Sequence, residues 1–260
     1  MKRRSFVQAG LVGLSGSSSI SLQQGPKSRA WFDLRFYYLR NDLERSRLDV
    51  FFAEAYMQAL KRIGKRPAGF FNVAVGSQMP TMVSLISYNS LADLELAMEK
   101  LAEDTSWNKA LDDFDSSKTM PYLRIESRLL KAFSSMPVME VPAITEGRPP
   151  RVFELRTYES RNMRSSETKI KMFDEGEIDI FRRCGMLPVF FGQTIAGSGL
   201  PSLTYLLGYE SVEMREEVWR KFANHPDWQA LRSKPGLSDS EIVSNISCCI
   251  LRPAAYSDIR

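Results

Sequence analysis

The sequence contains few of the residues on which most metal centres and disulfide frameworks depend. Its 260 residues include one histidine, His225, and three cysteines. A single histidine argues against a histidine-rich metal site. Cys248 and Cys249 are adjacent and Cys184 is the third, so the set is too small and uneven for a disulfide framework. We therefore predict no metal site, and no motif in the sequence indicates a bound cofactor.

Long apolar runs and a strong excess of one charge are also missing. No stretch approaches eighteen consecutive apolar residues, which excludes a membrane-spanning helix of the usual kind. The formal net charge is +4, from 35 basic and 31 acidic residues. We expect no nucleic-acid partner, because such binders concentrate positive charge in one patch. With 43% apolar and 25% charged residues, the composition is typical of a soluble protein with one large domain or two small ones.

The first 30 residues have the pattern of a targeting segment. Basic residues occupy positions 2–4, a weakly apolar run follows over 9–22, and the first acidic residue is Asp33. A basic start before a short apolar region is typical of an export signal, and the region is too short to span a membrane stably. We interpret residues 1–30 as a leader, although no A-x-A cleavage site follows the apolar run.

Within this leader, the pair Arg3 and Arg4, with Phe6 two places further on, resembles the twin-arginine export signal. The pattern predicts a protein of the periplasm or cell envelope. A mitochondrial presequence is the alternative, because the segment is also rich in serine and free of acidic residues. An uncleaved tail is the third interpretation.

The chain repeats itself at a separation of 121 residues. The segment Phe32–Tyr37 falls on Phe153–Tyr158, and Trp107 falls on Trp228, with no gap between them. Between residues 32 and 107 the two copies share 22 identities in 76 positions. Chance would give an identity at about one position in seventeen. The sequence therefore predicts a tandem duplication.

A segment rich in proline separates the two copies. Residues 134–150 contain four prolines, which fix φ and remove backbone donors, so we expect a semi-extended linker. The predicted domains are accordingly residues 31–133 and residues 151–256.

The apolar pattern of the second copy predicts the order strand, helix, strand, strand, helix, strand. Val152–Glu159 alternates with period two, as a strand does, whereas Lys169–Cys184 places apolar residues at helical spacing. Gly185 is placed to end that helix. Further strands are predicted over residues 187–195, 202–209 and 241–251. This β-α-β-β-α-β order is that of a ferredoxin-like fold, an antiparallel sheet with both helices on one face.

A single sheet of this kind leaves its second face bare, and another sheet must cover that face. The duplication supplies the second sheet within the same chain. We therefore predict an α+β fold in which two tandem ferredoxin-like repeats form a pseudo-two-fold barrel.

Four motifs of the second copy, taken together, resemble the NIPSNAP family. They are Phe153–Tyr158, Gly185–Pro188, Leu206–Tyr209 and His225–Trp228. The resemblance covers residues 152–256, and the first copy looks like a diverged version. It implies membership of the dimeric α/β barrel superfamily and further association into a homo-oligomer. It implies little about chemistry, since NIPSNAP proteins have no agreed activity, and the mitochondrial association of eukaryotic members supports the presequence alternative.

Two sets of polar strand residues form the candidate site. We expect Glu154, Arg156 and Tyr158 to point into the barrel, between the sheets, because the helices cover the other strand face. The matching residues of the first copy are Asp33, Arg35 and Tyr37. Buried charge must be paired, so these residues either form ion pairs that fix the register of the sheets or line a pocket. In a pocket, arginine would hold a carboxylate or phosphate and tyrosine would donate a proton or a hydrogen bond.

His225 is the remaining candidate. Related barrels that bind haem, or that act as cofactor-independent monooxygenases, often use a histidine. The first copy has Asp104 at the matching position, so the duplication did not keep the histidine. The alternative interpretation is a residue that bonds the nearby backbone at the end of a helix.

Three functions are compatible with these observations. The first is a barrel without catalysis that binds a small molecule or a protein partner after export. The second is a cofactor-independent monooxygenase-like or haem-related enzyme that uses Arg156, Tyr158 and His225. The third, by family analogy alone, is an adaptor in organelle or vesicle biology.

Overall fold

The structure, a computed structural model, describes residues 28–117, 119–144 and 147–260. The predicted export residues Arg3, Arg4 and Phe6 lie outside the described residues. No helix in these ranges has both the length and the apolar character that crossing a membrane requires.

The first repeat begins and ends with a strand and carries two helical segments. Its strands are β1 Trp31–Tyr38, β2 Ala68–Val75, β3 Thr81–Tyr88 and β4 Arg124–Ala132. Its helices are α1 Asp42–Phe51, α2 Met57–Arg62, α3 Leu91–Glu103 and α4 Thr105–Asp115. A π-helical turn, Phe52–Tyr56, joins α1 to α2.

The second repeat has the same order of elements. Its strands are β5 Val152–Ser160, β6 Leu187–Ala196, β7 Ser202–Tyr209 and β8 Val243–Pro253. Its helices are α5 Met163–Met172, α6 Ile178–Cys184, α7 Val212–Ala223, α8 Pro226–Arg232 and α9 Asp239–Ile242, and a π-helical turn, Phe173–Glu177, joins α5 to α6. Strands β5 to β7 agree with the predicted ranges, whereas the first helix begins earlier than predicted. Gly185 ends α6 with a left-handed φ of 101°, as the sequence predicts.

The described strands close into one antiparallel barrel with the order β1-β3-β2-β8-β5-β7-β6-β4. Each repeat contributes four neighbouring strands, and the pairs β2·β8 and β4·β6 join the two repeats. Strands β6 and β8 are the counterparts of β2 and β4, so exchanging the two repeats converts one of these strand pairs into the other. This relation is expected for a pseudo-two-fold arrangement. The tandem duplication therefore closes a single barrel, because each half-sheet supplies the edges that the other lacks.

The barrel interior is apolar and contains residues from both repeats. Phe153 and Leu155 of β5 pack there with Phe32 of β1. The rings of Phe32 and Phe190 have centroids 5.0 Å apart, and those of Phe71 and Phe153 are 5.3 Å apart. These aromatic pairs fill the middle of the barrel and join the two sheets.

Glu154, Arg156 and Tyr158 lie on the outer face of the barrel, beneath the helices of the second repeat. Tyr158 belongs to the core that includes Phe173 of the π-helical turn, and Glu154 accepts a hydrogen bond from Trp219 of α7. The prediction that these three residues point between the sheets is therefore wrong. The apolar faces of the two sheets bury each other inside the barrel, which leaves the polar face of β5 for the helices to cover.

Candidate functional site

The carboxylate of Glu154 is the centre of a buried hydrogen-bond network beneath α7. Arg215 donates to both carboxylate oxygens, at 2.9 and 2.7 Å, and Trp219 Nε1 donates at 2.8 Å. Tyr209 Oη on β7 adds a bond of 3.2 Å. Burial by itself would raise the pKa of Glu154, but the hydrogen bond from Arg215 and the charges of Arg156 and Arg215 lower it on balance. Glu154 is therefore a carboxylate at neutral pH.

Arg156 extends this network towards two tyrosines. Its Nη1 donates to Glu154 Oε1 at 2.9 Å, and its Nη2 donates to Tyr158 Oη at 3.3 Å. Tyr205 Oη donates to Tyr158 Oη at 3.1 Å, and burial raises the pKa of Tyr205, so this phenol keeps its proton. The guanidinium carbon lies 4.6 Å from the ring centroid of Trp219. Arg156 is thus neutralised and covered by its neighbours.

The network around Glu154 and Arg156 lies away from the five main clefts of the described residues, which measure about 230–610 Å³. Five clefts formed by the described residues have neither Arg156 nor Tyr158 in their linings. The geometry therefore favours the ion-pair interpretation over the pocket interpretation for this set.

A second buried ion pair lies beside the π-helical turn of the second repeat. Lys169 Nζ, which is fully buried, is 3.1 Å from Glu177 Oε2 and 3.2 Å from Asp239 Oδ1. Burial opposes the charge on Lys169, yet the carboxylates raise its pKa, whereas burial raises the pKa of Glu177 to about 7. The first repeat has Leu48 and Tyr56 at these two positions. The fold therefore does not require the ion pair, and sequence reasoning did not identify it.

Asp33, Arg35 and Tyr37 take the corresponding positions on β1, beneath the helices of the first repeat. Arg35 Nε donates to Asp33 Oδ2 at 2.8 Å, and Ser127 Oγ donates to Asp33 Oδ1 at 2.8 Å. Tyr37 packs edge-on against Phe52, with centroids 5.0 Å apart. Each polar set thus belongs to its own sheet and helix layer, and the structure does not bring the two sets together.

His225 caps α8. Its Nδ1 accepts a hydrogen bond of 3.2 Å from the backbone N–H of Asp227, and Pro226 follows as the first residue of the helix. The sequence offered a backbone bond at the end of a helix as the alternative to a ligand or catalytic role, and the structure places this bond at the start of the following helix, α8.

One end of the barrel is open and forms a cleft of about 280 Å³. Strands β1 and β5 end there, and β3, β4 and β8 begin there, so both repeats contribute to the lining. Its lining includes Phe36, Val73, Thr81, Arg128, Leu155 and Thr157. Cavities that hold drug-sized ligands measure roughly 300–1,000 Å³. At about 280 Å³ the cleft lies just below this range, so it suits a molecule smaller than a typical drug.

Arg128 of β4 is the charged residue inside this cleft. Its Nη1 donates to Thr157 Oγ1 at 2.8 Å, and its guanidinium carbon is 5.2 Å from the ring centroid of Phe36. Thr157 Oγ1 also shares a hydrogen bond of 2.9 Å with Thr204. None of the salt bridges among the described residues involves Arg128. The guanidinium therefore has donor capacity left for an anion from solvent.

The duplication held a signal for this cleft that the sequence analysis did not use. At the separation of 121 residues, Arg128 falls on Cys249 and Phe36 falls on Thr157. All four residues line the cleft. Equivalent strand positions of the two repeats thus lie at the same end of the barrel but carry different side chains. Of the matched pair Arg128 and Cys249, only Arg128 is charged.

The family model of NIPSNAP matches this chain twice, over residues 32–137 and 153–258. The chain belongs to the NIPSNAP family. This confirms the resemblance found in the second copy and shows that the first copy is a family domain as well. None of the curated proteins compared with this NIPSNAP chain matches it.

Solved structures similar to this NIPSNAP chain include two of nearly equal length. A candidate monooxygenase from Lactobacillus acidophilus is 10% identical, with a TM-score of 0.59 over 87% of this chain and 95% of that chain. An anthrone oxidase-like protein is also 10% identical, with a TM-score of 0.50 over 88% of this chain and 92% of that chain. At this identity the likeness concerns the fold.

A NIPSNAP family protein from Agrobacterium tumefaciens is similar to a single repeat. It is 27% identical, with a TM-score of 0.39 over 45% of this chain and 97% of that chain.

Proposed function

We propose that this NIPSNAP protein binds a small anionic molecule in the open end of its barrel. The observation that carries the proposal is Arg128, which faces the cleft and has no carboxylate partner among the described residues. Arg128 is close enough to Glu126 to help lower the pKa of that carboxyl group, but Glu126 pairs with Arg124, so the half-buried guanidinium of Arg128 can attract an anion from solvent.

The walls of the cleft indicate the rest of the ligand. Phe36, Val73 and Leu155 are apolar, Thr157 adds a hydroxyl group beside the arginine, and Thr81 adds another to the lining. Such a lining suits a compact aromatic or aliphatic body that carries one acidic group. Benzoate is a probe of this class, and benzamide is its neutral analogue of nearly equal shape.

The test compares the thermal stability of the protein with benzoate and with benzamide. A ligand at ten times its Kd stabilises the folded state by about 1.4 kcal/mol, so benzoate should raise the Tm and benzamide should have a smaller effect. Replacing Arg128 by methionine removes a charge-assisted contact worth about 1.5–3 kcal/mol, so we expect benzoate to bind roughly 10- to 100-fold more weakly.

Arg124→Met is the matched control, because Arg124 lies on the same strand but is paired with Glu126 at 2.7 Å. The control should bind benzoate as the unmodified protein does. Equal benzoate binding by Arg128→Met would contradict the proposed site.

The proposal includes no reaction. Burial raises the pKa of Tyr205 and Tyr209, so both phenols keep their protons, and Arg156 donates to Glu154 and Tyr158. The likeness to a candidate monooxygenase supports a shared fold.

We further propose that the protein is exported, on the sequence evidence of Arg3, Arg4 and Phe6. A fusion of residues 1–30 to a reporter that is active only outside the cytoplasm should be exported, and the charge-preserving change of Arg3 and Arg4 to lysine should stop it. Mitochondrial import of the fusion would instead favour the presequence alternative.

We also infer that each repeat is a ferredoxin-like unit within a pseudo-two-fold dimeric α/β barrel. The support is that the fourth strand of each repeat lies beside the first in both half-sheets, as β4 beside β1 and β8 beside β5. Superposition of the two repeats in an experimental structure would test it.

A further inference from the structure

We propose that two copies of this chain associate by antiparallel pairing of the β8 edge, defined as residues Ser244–Cys248. The pairing would join two barrels through one continuous sheet and would be centred on Ile246. Ser247 and Cys248 also line the cleft in the barrel end, so the mass of the protein is measured without added ligand.

The first observation is that, among the described residues, the β8 edge has a strand on one side only. Strand β5 pairs with β8 from Val243 to Leu251, with a bulge at Ser244, whereas β2 pairs only with residues 250–253. Within the described residues, no strand lies against the other side of Ser244–Cys248, and all five side chains are exposed. The backbone groups on that side are therefore available to another strand.

The second observation is that the equivalent edge of the first repeat is protected. Strand β4 pairs with β1 over its length but with β6 only over residues 129–132. Its free part carries Arg124 and Glu126, which pair at 2.7 Å, and Tyr38 Oη donates to Glu126 at 3.2 Å. Charged side chains on a free strand are the usual protection against pairing with another chain.

The β8 edge has no charged protection of this kind, and its one irregularity is the bulge at Ser244. Its sequence is Ser-Asn-Ile-Ser-Cys, without charge and without proline. Since the two edges are related by the duplication, the difference lies in their side chains, not in their place in the barrel. The unprotected edge is the one that we expect to be covered in the assembled protein.

A second copy of the same edge fits this segment. In an antiparallel pair centred on Ile246, that residue faces Ile246 of the other copy, and Ser244 faces Cys248 of the other copy. Neither contact brings charges together, and the two isoleucines bury apolar surface that is exposed in the single chain. The arrangement is two-fold and closed, so it produces a dimer and no filament.

The first test is the mass of the full chain in solution, measured by light scattering after size exclusion. We expect twice the mass of one chain for the unmodified protein and the mass of one chain for Ile246→Lys. Ile125→Lys is the matched control, because Ile125 is the equivalent residue on the β4 edge and is 38% exposed against 41% for Ile246. The control should stay dimeric.

A monomeric unmodified protein at all concentrations would overturn the proposal, and so would dissociation of the dimer by Ile125→Lys alone. A thermal melt of both lysine variants establishes that they are folded.

The second test uses a cysteine to check the register without disturbing the contact. Opposed residues of antiparallel strands have Cα atoms about 4.5–5.5 Å apart, a separation that a disulfide spans. Ser244→Cys should therefore form a disulfide with Cys248 of the other copy under mild oxidation, and a covalent dimer should appear on a non-reducing gel. Asn245→Cys, which faces Ser247 of the other copy, should form far less. Equal cross-linking by both variants, or none by Ser244→Cys, would contradict the pairing.

Discussion

The buried ion pair between Lys169 and Glu177 gives a sharp test of what the polar residues of the second repeat do. The first repeat has the same fold with Leu48 and Tyr56 in their place. We consider two variants, the single change Lys169→Met and the double change Lys169→Met with Glu177→Leu. The single variant leaves an acid without its partner in a fully buried position, whereas the double variant replaces the pair by apolar side chains of similar size.

The magnitudes follow from burial and from the direction of the pKa changes. Removing one partner of a buried pair costs about 3–5 kcal/mol, whereas replacing both is often neutral or stabilising. Burial raises the pKa of Glu177 to about 7 from 4.5 in the unfolded chain. The native state therefore binds more protons than the unfolded state between these values, and the free energy of unfolding falls as the pH rises through that window. Each pKa unit is worth about 1.4 kcal/mol, so Glu177 accounts for a fall of roughly 3 kcal/mol.

We expect Lys169→Met to lower the free energy of unfolding by about 3–5 kcal/mol at pH 8, where Glu177 of the unmodified protein is ionised. The loss should be smaller at pH 5, where Glu177 takes up a proton. The free energy of unfolding of the double variant should be within about 1 kcal/mol of that of the unmodified protein at pH 8. The decrease in this free energy with rising pH that Glu177 causes should be absent from the double variant. The assay is urea unfolding at both pH values, followed by tryptophan fluorescence; one of the four tryptophans, Trp228, has its ring centroid 5.2 Å from Lys169 Nζ. The slope of the unfolding free energy against urea concentration should be the same for the variants and the unmodified protein, which would establish that they unfold by the same transition.

A double variant as unstable as the single one at pH 8 would refute the reasoning, because the ion pair would then contribute net stability. A deficit of the single variant that is the same at pH 5 and pH 8 would refute the part that depends on Glu177.

Two further predictions concern the core. Gly192→Ala should lower the free energy of unfolding by about 1–3 kcal/mol and the Tm with it, because the added Cβ would lie 2.8 Å from Cβ of Leu130. Glu154→Gln should lower the free energy of unfolding by about 3–5 kcal/mol at pH 7, because it leaves the buried charges of Arg156 and Arg215 without their carboxylate. The pKa of Glu154 is lowered on folding, so its contribution is present above the unfolded pKa and is lost as the pH falls through the folded pKa. Urea unfolding from pH 7 to pH 3 checks this, and a difference between the two proteins that stays constant with pH would contradict it.

Much of the local structure could be read from the residues. The alternation of β5, the glycine at position 185 and the duplication each depend on spacing within a short window or on comparison of the chain with itself. They predicted the strand, the helix end and the tandem family domains, and all three are present. The helix-end role of His225 was likewise visible as an alternative, because Pro226 follows it.

The candidate site was harder to predict because alternation identifies two strand faces without saying what covers each. The partners of Glu154 are Arg215 and Trp219, which lie on α7 and are more than sixty residues away in the chain. Their first-repeat counterparts are Leu94 and Met98, so the duplication gave no sign of the network. The charged face of β5 was therefore assigned to the barrel interior, although the helices supply its partners.

The sequence by itself determined that the chain is two copies of one NIPSNAP domain, because repetition and motif spacing are properties of the chain alone. Only the tertiary structure decided which strand face is inside the barrel, because that depends on which apolar surfaces can bury each other. It also decided that Arg128 and Thr157 meet at an open barrel end and that no strand from the described part of the chain lies against the free side of the β8 edge. Closure of the barrel joins strands from the two copies, and such contacts between distant segments leave no local pattern in the sequence.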